Sequence, residues 1–228
     1  MIIAIDGPAG SGKSTTAKKV ASKLNLMYLD TGAMYRAVAL YFINNQIPLK
    51  DFSNKLLISS LLNKIEIKFC QNSGNVFLNG FDVSSEIRQD KVSSFVSDVS
   101  AIPQVREKMV SLQRKIATNA NVVLEGRDIG TRVFPDAELK IFLIADVLER
   151  GKRRHKELLG LGEVKTLDAV IDEIKFRDLK DSSRQHSPLV KAEDAVVIDT
   201  SNMSIDIQVN EIVSLIKTKK QEYDSIYE

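Results

Sequence analysis

The sequence predicts an α/β fold, a parallel sheet covered by helices on both faces, and three observations carry that prediction. Short apolar runs alternate with helical periodicity along most of the 228 residues. The first run, residues 1–5, passes directly into a glycine-rich loop and then a helical pattern. Two later runs, 122–124 and 139–144, are apolar throughout, as strands buried on both faces are. In such a sheet ligands sit beyond the carboxyl ends of the strands, so the segments that follow strands are where function is to be sought.

Taken in order, residues 1–5 form the first strand. Gly7-Pro8-Ala9-Gly10-Ser11-Gly12-Lys13-Ser14-Thr15 then satisfies G-x-x-x-x-G-K-S/T and leads into a helix over 14–24. The order strand, loop, helix gives the pattern its meaning. Glycines let consecutive N–H groups turn inward toward phosphate oxygens, and the positive end of the helix dipole adds to the attraction. Lys13 can reach the β- and γ-phosphates, and the Ser14 hydroxyl can ligate Mg²⁺. The bland alternative is a glycine-rich turn that binds nothing. Four fixed positions with the right flanks rarely coincide by chance, so a nucleoside triphosphate is the expected ligand.

A second strand over 26–29 ends at Asp30, and 31–44 has a helix's periodicity with Thr31 as N-cap. Pro48 breaks the pattern and a helix resumes over 53–62. Residues 65–69 and 76–78 alternate or run apolar about the turn Asn72-Ser73-Gly74-Asn75, a β-hairpin, and Asn79-Gly80 turns on to Asp82-Val83-Ser84. This β-rich patch reads as an insertion outside the main sheet. Helices follow over 89–101 and, after Pro103, to 119. Beyond the two apolar strands, charged helical segments are expected over 146–159 and 165–179, then a strand over 195–199 and a closing helix over 205–220. The polar tail, 217–228, is expected to fray.

Composition narrows the function classes. Hydrophobic residues make up 43% and charged residues 27%, ordinary for a soluble chain of one α/β domain with insertions. A formal net charge of +2 is too small to argue for a nucleic-acid partner. The single cysteine, Cys70, excludes an internal disulfide, suits a reducing cytoplasm and reads as an inert, half-buried side chain. No apolar run approaches the ~20 residues of a membrane span. The functional loop begins so early, without a charged leader, that a cytoplasmic protein is expected. His155 and His186 have no cysteine partners at zinc spacing and read as surface residues.

Three further segments carry charge where ligands are expected. Tyr28-Leu29-Asp30-Thr31-Gly32-Ala33-Met34-Tyr35-Arg36 joins the second strand to its helix, and its hydroxyl, phenol and guanidinium could hold the phosphate of a second substrate. An N-cap followed by an ordinary surface arginine reads as well from that segment alone. Val122-Val123-Leu124-Glu125-Gly126-Arg127-Asp128-Ile129-Gly130-Thr131 is a buried strand ending abruptly in a cation and a carboxylate. Arg150, Arg153 and Arg154, and then Arg177, Asp178, Asp181 and Arg184, concentrate guanidiniums on two helical segments. Such a face is often solvated surface. Beside a triphosphate loop in a nearly neutral chain, arginines that close over phosphate are the better reading, because the planar fork engages phosphate oxygens and stays charged.

Together the glycine-rich loop, LDTGAMYR, EGRDIGT, LERGKRR and FRDLKDSSR…SPL resemble the bacterial cytidylate kinase family, in order, from about residue 2 to 217. That resemblance implies a P-loop nucleoside monophosphate kinase fold with a β-rich inserted monophosphate-binding region and a short lid. It implies core segments 1–30, 104–145 and 186–228, a monophosphate-binding region 31–103, and lid with adjoining helices 146–185. The implied reaction is ATP + CMP or dCMP giving ADP + CDP or dCDP, with Mg²⁺. By the same resemblance Gly7, Pro8, Ala9, Gly10, Ser11, Gly12, Lys13, Ser14 and Thr15 hold the ATP phosphates, Ser14 also the metal. Thr31, Tyr35, Arg36 and Arg127 engage the CMP phosphate, and Ser97, Arg106 and Asp128 face the cytosine. Arg177 and Asp181 reach the pentose and phosphate region, Arg184 the transferred phosphoryl group, and Arg150, Arg153 and Arg154 belong to the lid. Lys13, Arg184, Arg150 and Arg154 are the expected catalytic residues. The expected partners are small nucleotides, with no nucleic acid or membrane, and the expected state is a monomer.

Other readings stay open at this point. A P-loop kinase for UMP, AMP or a non-nucleotide acceptor differs in its acceptor profile. A P-loop switch or ATPase hydrolyses triphosphate without an acceptor. A basic nucleic-acid module binds with steep salt dependence.

Overall fold

The structure is a computed structural model and describes residues 1–70 and 74–227. The chain divides into two compact units. One comprises Met1–Tyr28 and the chain from Ala120 onward; the other is Leu29–Asn119. Residues 104–119 thus cluster with the second unit and 120–145 with the first.

The first unit is built on a five-stranded sheet. Its strands are β1 (Ile2–Asp6), β2 (Met27–Asp30), β6 (Val122–Gly126), β7 (Leu139–Ile144) and β8 (Val196–Asp199). The order is β2-β6-β1-β7-β8, and the pairs β1–β6, β1–β7 and β7–β8 all run parallel. One face of β1 and β7, with Ile3, Ile5, Leu139, Ile141 and Leu143, packs on α1 (Lys13–Leu24) and α8 (Ile205–Tyr227) through Ala17, Val20, Val209 and Ile212. This is the expected α/β class. A small separate core of Leu158, Val170 and Ile174 joins α6 (Val147–Gly160) to α7 (Leu167–Ser182). Gly151 makes that junction possible: a Cβ there would lie 2.4 Å from Cγ1 of Ile171.

The register of the central strands fixes the functional edge. Ile5 pairs with Glu125 and Asp6 with Gly126, so the loops that leave β1 and β6 emerge side by side at the carboxyl edge. β6 runs two residues further than the apolar pattern predicts, because the backbone of Glu125 and Gly126 completes the ladder with β1. Glu125 is accordingly a buried carboxylate inside a strand.

In the second unit α2 (Thr31–Asn44), α3 (Lys55–Asn63), α4 (Asp90–Val99) and α5 (Pro103–Ala117) pack around Met34, Val38, Phe42, Ile58, Val92 and Met109. The insertion is a three-stranded antiparallel sheet, β3 (Ile67–Phe69), β4 (Val76–Leu78) and β5 (Phe81–Asp82). Asn79 (φ 50) and Gly80 (φ 87) form the tight turn between β4 and β5 that the Asn-Gly pair predicts. Asn72 and Ser73 of the first predicted turn lie outside the described residues.

Three local expectations are corrected. Asp30, not Thr31, caps α2, its carboxylate accepting the Ala33 N–H at 2.8 Å. Both residue types cap well, and β2 continues far enough to make Asp30 the last non-helical residue. The helix expected from residue 53 is a short 3-10 turn, Leu49–Ser53, followed by α3, which starts after Asn54 because that side chain accepts the Leu57 N–H at 3.1 Å. The closing helix expected to end near residue 220 runs on as α8 to Tyr227, and no glycine or proline interrupts it.

Candidate active site

The loop between β1 and α1 owes its shape to glycine. Gly7 has φ 150, and a Cβ there would lie 2.2 Å from the carbonyl oxygen of Leu143. Gly12 ends the loop in the left-handed region (φ 92) and precedes α1 without a side-chain cap, leaving the helix's first N–H groups at the loop mouth. Lys13 turns back along the loop, donating to the Pro8 carbonyl oxygen at 2.6 Å and to Ser11 Oγ at 3.3 Å. Burial holds its ammonium well below the ordinary lysine value, Arg127 pushes the same way, and Glu125 opposes. A phosphate anion beside Nζ would reverse that imbalance.

Glu125 is a functional candidate that sequence reasoning passed over. It is 4% exposed, and its two oxygens accept hydrogen bonds from Ser14 Oγ (2.7 Å) and Tyr28 Oη. The visible signal was a carboxylate interrupting an otherwise apolar strand. Ser14 and Glu125 together offer hard oxygen donors at the triphosphate loop, the chemistry that Mg²⁺ prefers when substrate phosphates supply the remaining ligands. Among the described residues no group of three or more His, Cys, Asp or Glu could hold a metal ion.

Three of the predicted arginines meet on one carboxylate. Asp181, on α7, is 1% exposed and accepts from Arg127 Nε at 3.0 Å and from Arg184 Nη2, while Arg177 Nε lies 4.0 Å away. Burial works against charge on Asp181, but the guanidiniums of Arg127, Arg177 and Arg184 outweigh it and hold the carboxyl below its ordinary value. One ionised aspartate therefore gathers three cations, from the loop after β6, from α7 and from the segment just beyond it, a cluster suited to a polyanion.

Arg150 is buried and spends its donors on the Ala145 carbonyl oxygen (3.0 Å), the Ala9 carbonyl oxygen (3.1 Å) and the Asp178 carboxylate. Asp178 in turn accepts the Ala9 N–H at 3.2 Å, so α6 and α7 both grip the triphosphate loop. Arg153 donates to Thr200 at its carbonyl oxygen (2.6 Å) and at Oγ1 (3.2 Å), and Arg154 pairs with Glu157 at 2.9 Å. His155 Nε2 lies 2.9 Å from the Lys165 carbonyl oxygen, His186 is exposed and Cys70 is half-buried.

The second unit carries its own charged cluster. Asp30 faces Arg36 at 3.9 Å and Arg88 at 3.6 Å with the oxygen not used in capping. Arg88 gave no signal in the sequence beyond a lone arginine. Arg106 is buried, its Cζ 5.4 Å from the centroid of the Tyr35 ring, and it donates to the Ser100 carbonyl oxygen at 3.2 Å. Ser97 on α4 and Thr31 on α2 are buried.

A triphosphate loop at the carboxyl edge of a parallel sheet, beside an acidic strand end and an arginine cluster, defines a P-loop kinase of the nucleoside monophosphate kinase class. The fold comparison agrees at the level of fold: a gluconokinase from Sinorhizobium meliloti 1021 superposes with a TM-score of 0.50 at 13% identity, covering 98% of this chain and 95% of that one. The particular family is settled by sequence. The cytidylate kinase family model matches residues 3–218. A cytidylate kinase of Cytophaga hutchinsonii is 50% identical, covering 94% of this chain and 92% of its own. One of Chlorobaculum tepidum is 49% identical, covering 95% and 92%. The chain belongs to the cytidylate kinase family.

Proposed function

We propose that the protein transfers the γ-phosphoryl group of ATP to CMP or dCMP, giving ADP and CDP or dCDP, by Mg²⁺-assisted in-line transfer in an arginine-rich site. The observation that carries this reading is the Arg127–Asp181–Arg184 cluster, whose Arg127 directly follows β6, the strand paired with β1, in a chain of this family. An NTPase without an acceptor has no need of a second cationic cluster there.

The acceptor's phosphate oxygen is already an anion, so the reaction needs no strong general base. The work lies in holding two polyanions in line and neutralising the charge of the transition state. Gly7 to Thr15 hold the donor phosphates, with Lys13 at the β- and γ-groups. Ser14 would hold Mg²⁺, with Glu125 orienting its hydroxyl, and a bound ion would supply neutralisation of the charge on the donor phosphates. Thr31, Tyr35, Arg36 and Arg127 take the CMP phosphate, with Arg88 a further candidate. Ser97, Arg106 and Asp128 face the cytosine. Arg177 and Asp181 serve the pentose and phosphate region, Asp181 by ordering the arginines around it. Arg184 meets the transferred group, and Arg150, Arg153 and Arg154 belong to the lid side.

In this reading 31–103 is the monophosphate-binding region, 146–185 the lid and adjoining helices, and the rest the core. Lid closure excludes water and limits wasteful ATP hydrolysis. Among the described residues no helix is long and apolar enough to cross a membrane. We infer a cytoplasmic monomer working on free nucleotides. The test is ADP formation with and without CMP: CMP should raise it many-fold, and an ATPase rate indifferent to CMP would contradict the proposal.

A further inference from the structure

The residue before the triphosphate loop has a task that neither the motif nor the family signature assigns. Asp6 closes β1, its backbone in register with Gly126 of β6 and Phe142 of β7. Its side chain is 5% exposed and turns toward the segment that follows β6. There Oδ1 accepts the Ile129 N–H at 2.9 Å and Oδ2 the Gly130 N–H at 2.8 Å. These two amides open a five-residue π turn, Ile129–Val133. Within it the Arg132 and Val133 N–H groups both reach the Asp128 carbonyl oxygen, at 2.9 and 3.2 Å, and Phe134 N–H reaches the Ile129 carbonyl oxygen at 2.7 Å. The first amides of any helical turn lack partners within it, and Asp128, which precedes this one, does not cap it with its own side chain. The cap comes instead from the neighbouring strand.

We propose that Asp6 is a positioning residue that sets the acceptor-binding segment Arg127-Asp128 in register with the triphosphate loop. This rests on the reading that Arg127 and Asp128 engage CMP. The main chain of Asp6 starts the donor loop at Gly7 while its carboxylate fixes the turn directly after Asp128, so one residue ties both loops to a single point on the sheet. π turns are uncommon and gather at functional sites, which fits a turn whose shape must be held from outside.

The ionic character of the cap points the same way. Burial pushes the Asp6 carboxyl up to about 6, the Gly130 and Ile129 N–H groups pull it down, and the Asp128 carboxylate adds to the upward push. Lys13 also lies close enough to favour its charge. A buried carboxylate beside a second carboxylate is a costly way to hold a turn. Its use here is explained by two divergent acceptors aimed at two adjacent amides. An asparagine can satisfy one of those amides and meets the other with a donor.

The test is steady-state kinetics of Asp6→Asn and Asp6→Glu with CMP, UMP and ATP varied in turn, alongside thermal unfolding. Asp6→Asn should raise KM for CMP about tenfold or more and narrow the preference for CMP over UMP, with KM for ATP within about twofold of wild type. Asp6→Glu keeps the charge and should fall between the two for CMP. If Asp6→Asn does not fold, Asp6→Glu alone must still raise KM for CMP more than KM for ATP. Equal losses for ATP and CMP accompanied by a lower Tm would make Asp6 merely structural and overturn the proposal, as would an unchanged KM for CMP. A wild-type protein that makes no CDP would instead sink the functional reading beneath it.

Discussion

At the residue scale the site is organised by a few buried charges whose partners are far away in sequence. Asp181 is the clearest, since it meets Arg127 from another element and Arg184 from beyond its own helix. Asp181→Asn leaves three guanidiniums with a weaker acceptor and with each other; kcat/KM for CMP should fall about a hundredfold and stability by about 2 kcal/mol or more, read by kinetics and denaturant unfolding. The pH dependence follows from the sign of the shift. The folded carboxyl titrates below the unfolded value of about 3.9, so the unfolded chain binds more protons in that window and stability rises with pH across it. The contribution is complete above the unfolded value and is lost as pH falls through the folded one. Asp181→Asn should therefore flatten the acid side of a stability-versus-pH curve; an unchanged acid limb would contradict the account. Lys13→Ala should cost about a hundred- to a thousandfold in kcat with the fold intact by circular dichroism. Glu125→Gln keeps the shape of the Ser14 contact but halves its oxygen acceptors, so the Mg²⁺ concentration for half-maximal rate should rise about tenfold.

At the element scale the question is what the local pattern could reveal. The strand, glycine loop and α1 were legible because every determinant lies within the first 24 residues. The Asn79-Gly80 turn was legible for the same reason. The cap of α2 was not, because Asp30 and Thr31 suit the role equally and the end of β2 decides between them. The π turn after Asp128 gave no signal in the sequence, since its amides are satisfied by Asp6, more than 120 residues earlier. The arginine-rich helices were correctly drawn, but nothing local told that Arg150 and Asp178 would both hold Ala9. Gly151 gives this scale its own prediction. Gly151→Ala should force α6 and α7 apart at Ile171, lowering Tm and raising KM for ATP together, because Arg150 and Asp178 lose their common seat on the loop. An Ala variant with wild-type Tm and KM would show that the close approach is dispensable.

At the scale of the whole molecule, parallel pairing with β1 brings the glycine-rich loop and an acidic, arginine-bearing loop out on one edge of the sheet. The class of fold and the strand–glycine loop–helix unit could be read from spacing alone. The proposed acceptor half rests on the assembled motifs, because Tyr35, Arg36, Arg106 and Asp181 are separated by long stretches whose own periodicity is ordinary. The central claim is that this second half is built for a cytidine nucleotide. It is tested most directly by measuring diphosphate formation from CMP, dCMP, UMP and AMP at fixed ATP and Mg²⁺. The account predicts that CMP and dCMP have the highest kcat/KM; UMP or AMP as the best acceptor, or no acceptor phosphorylated at all, would contradict it.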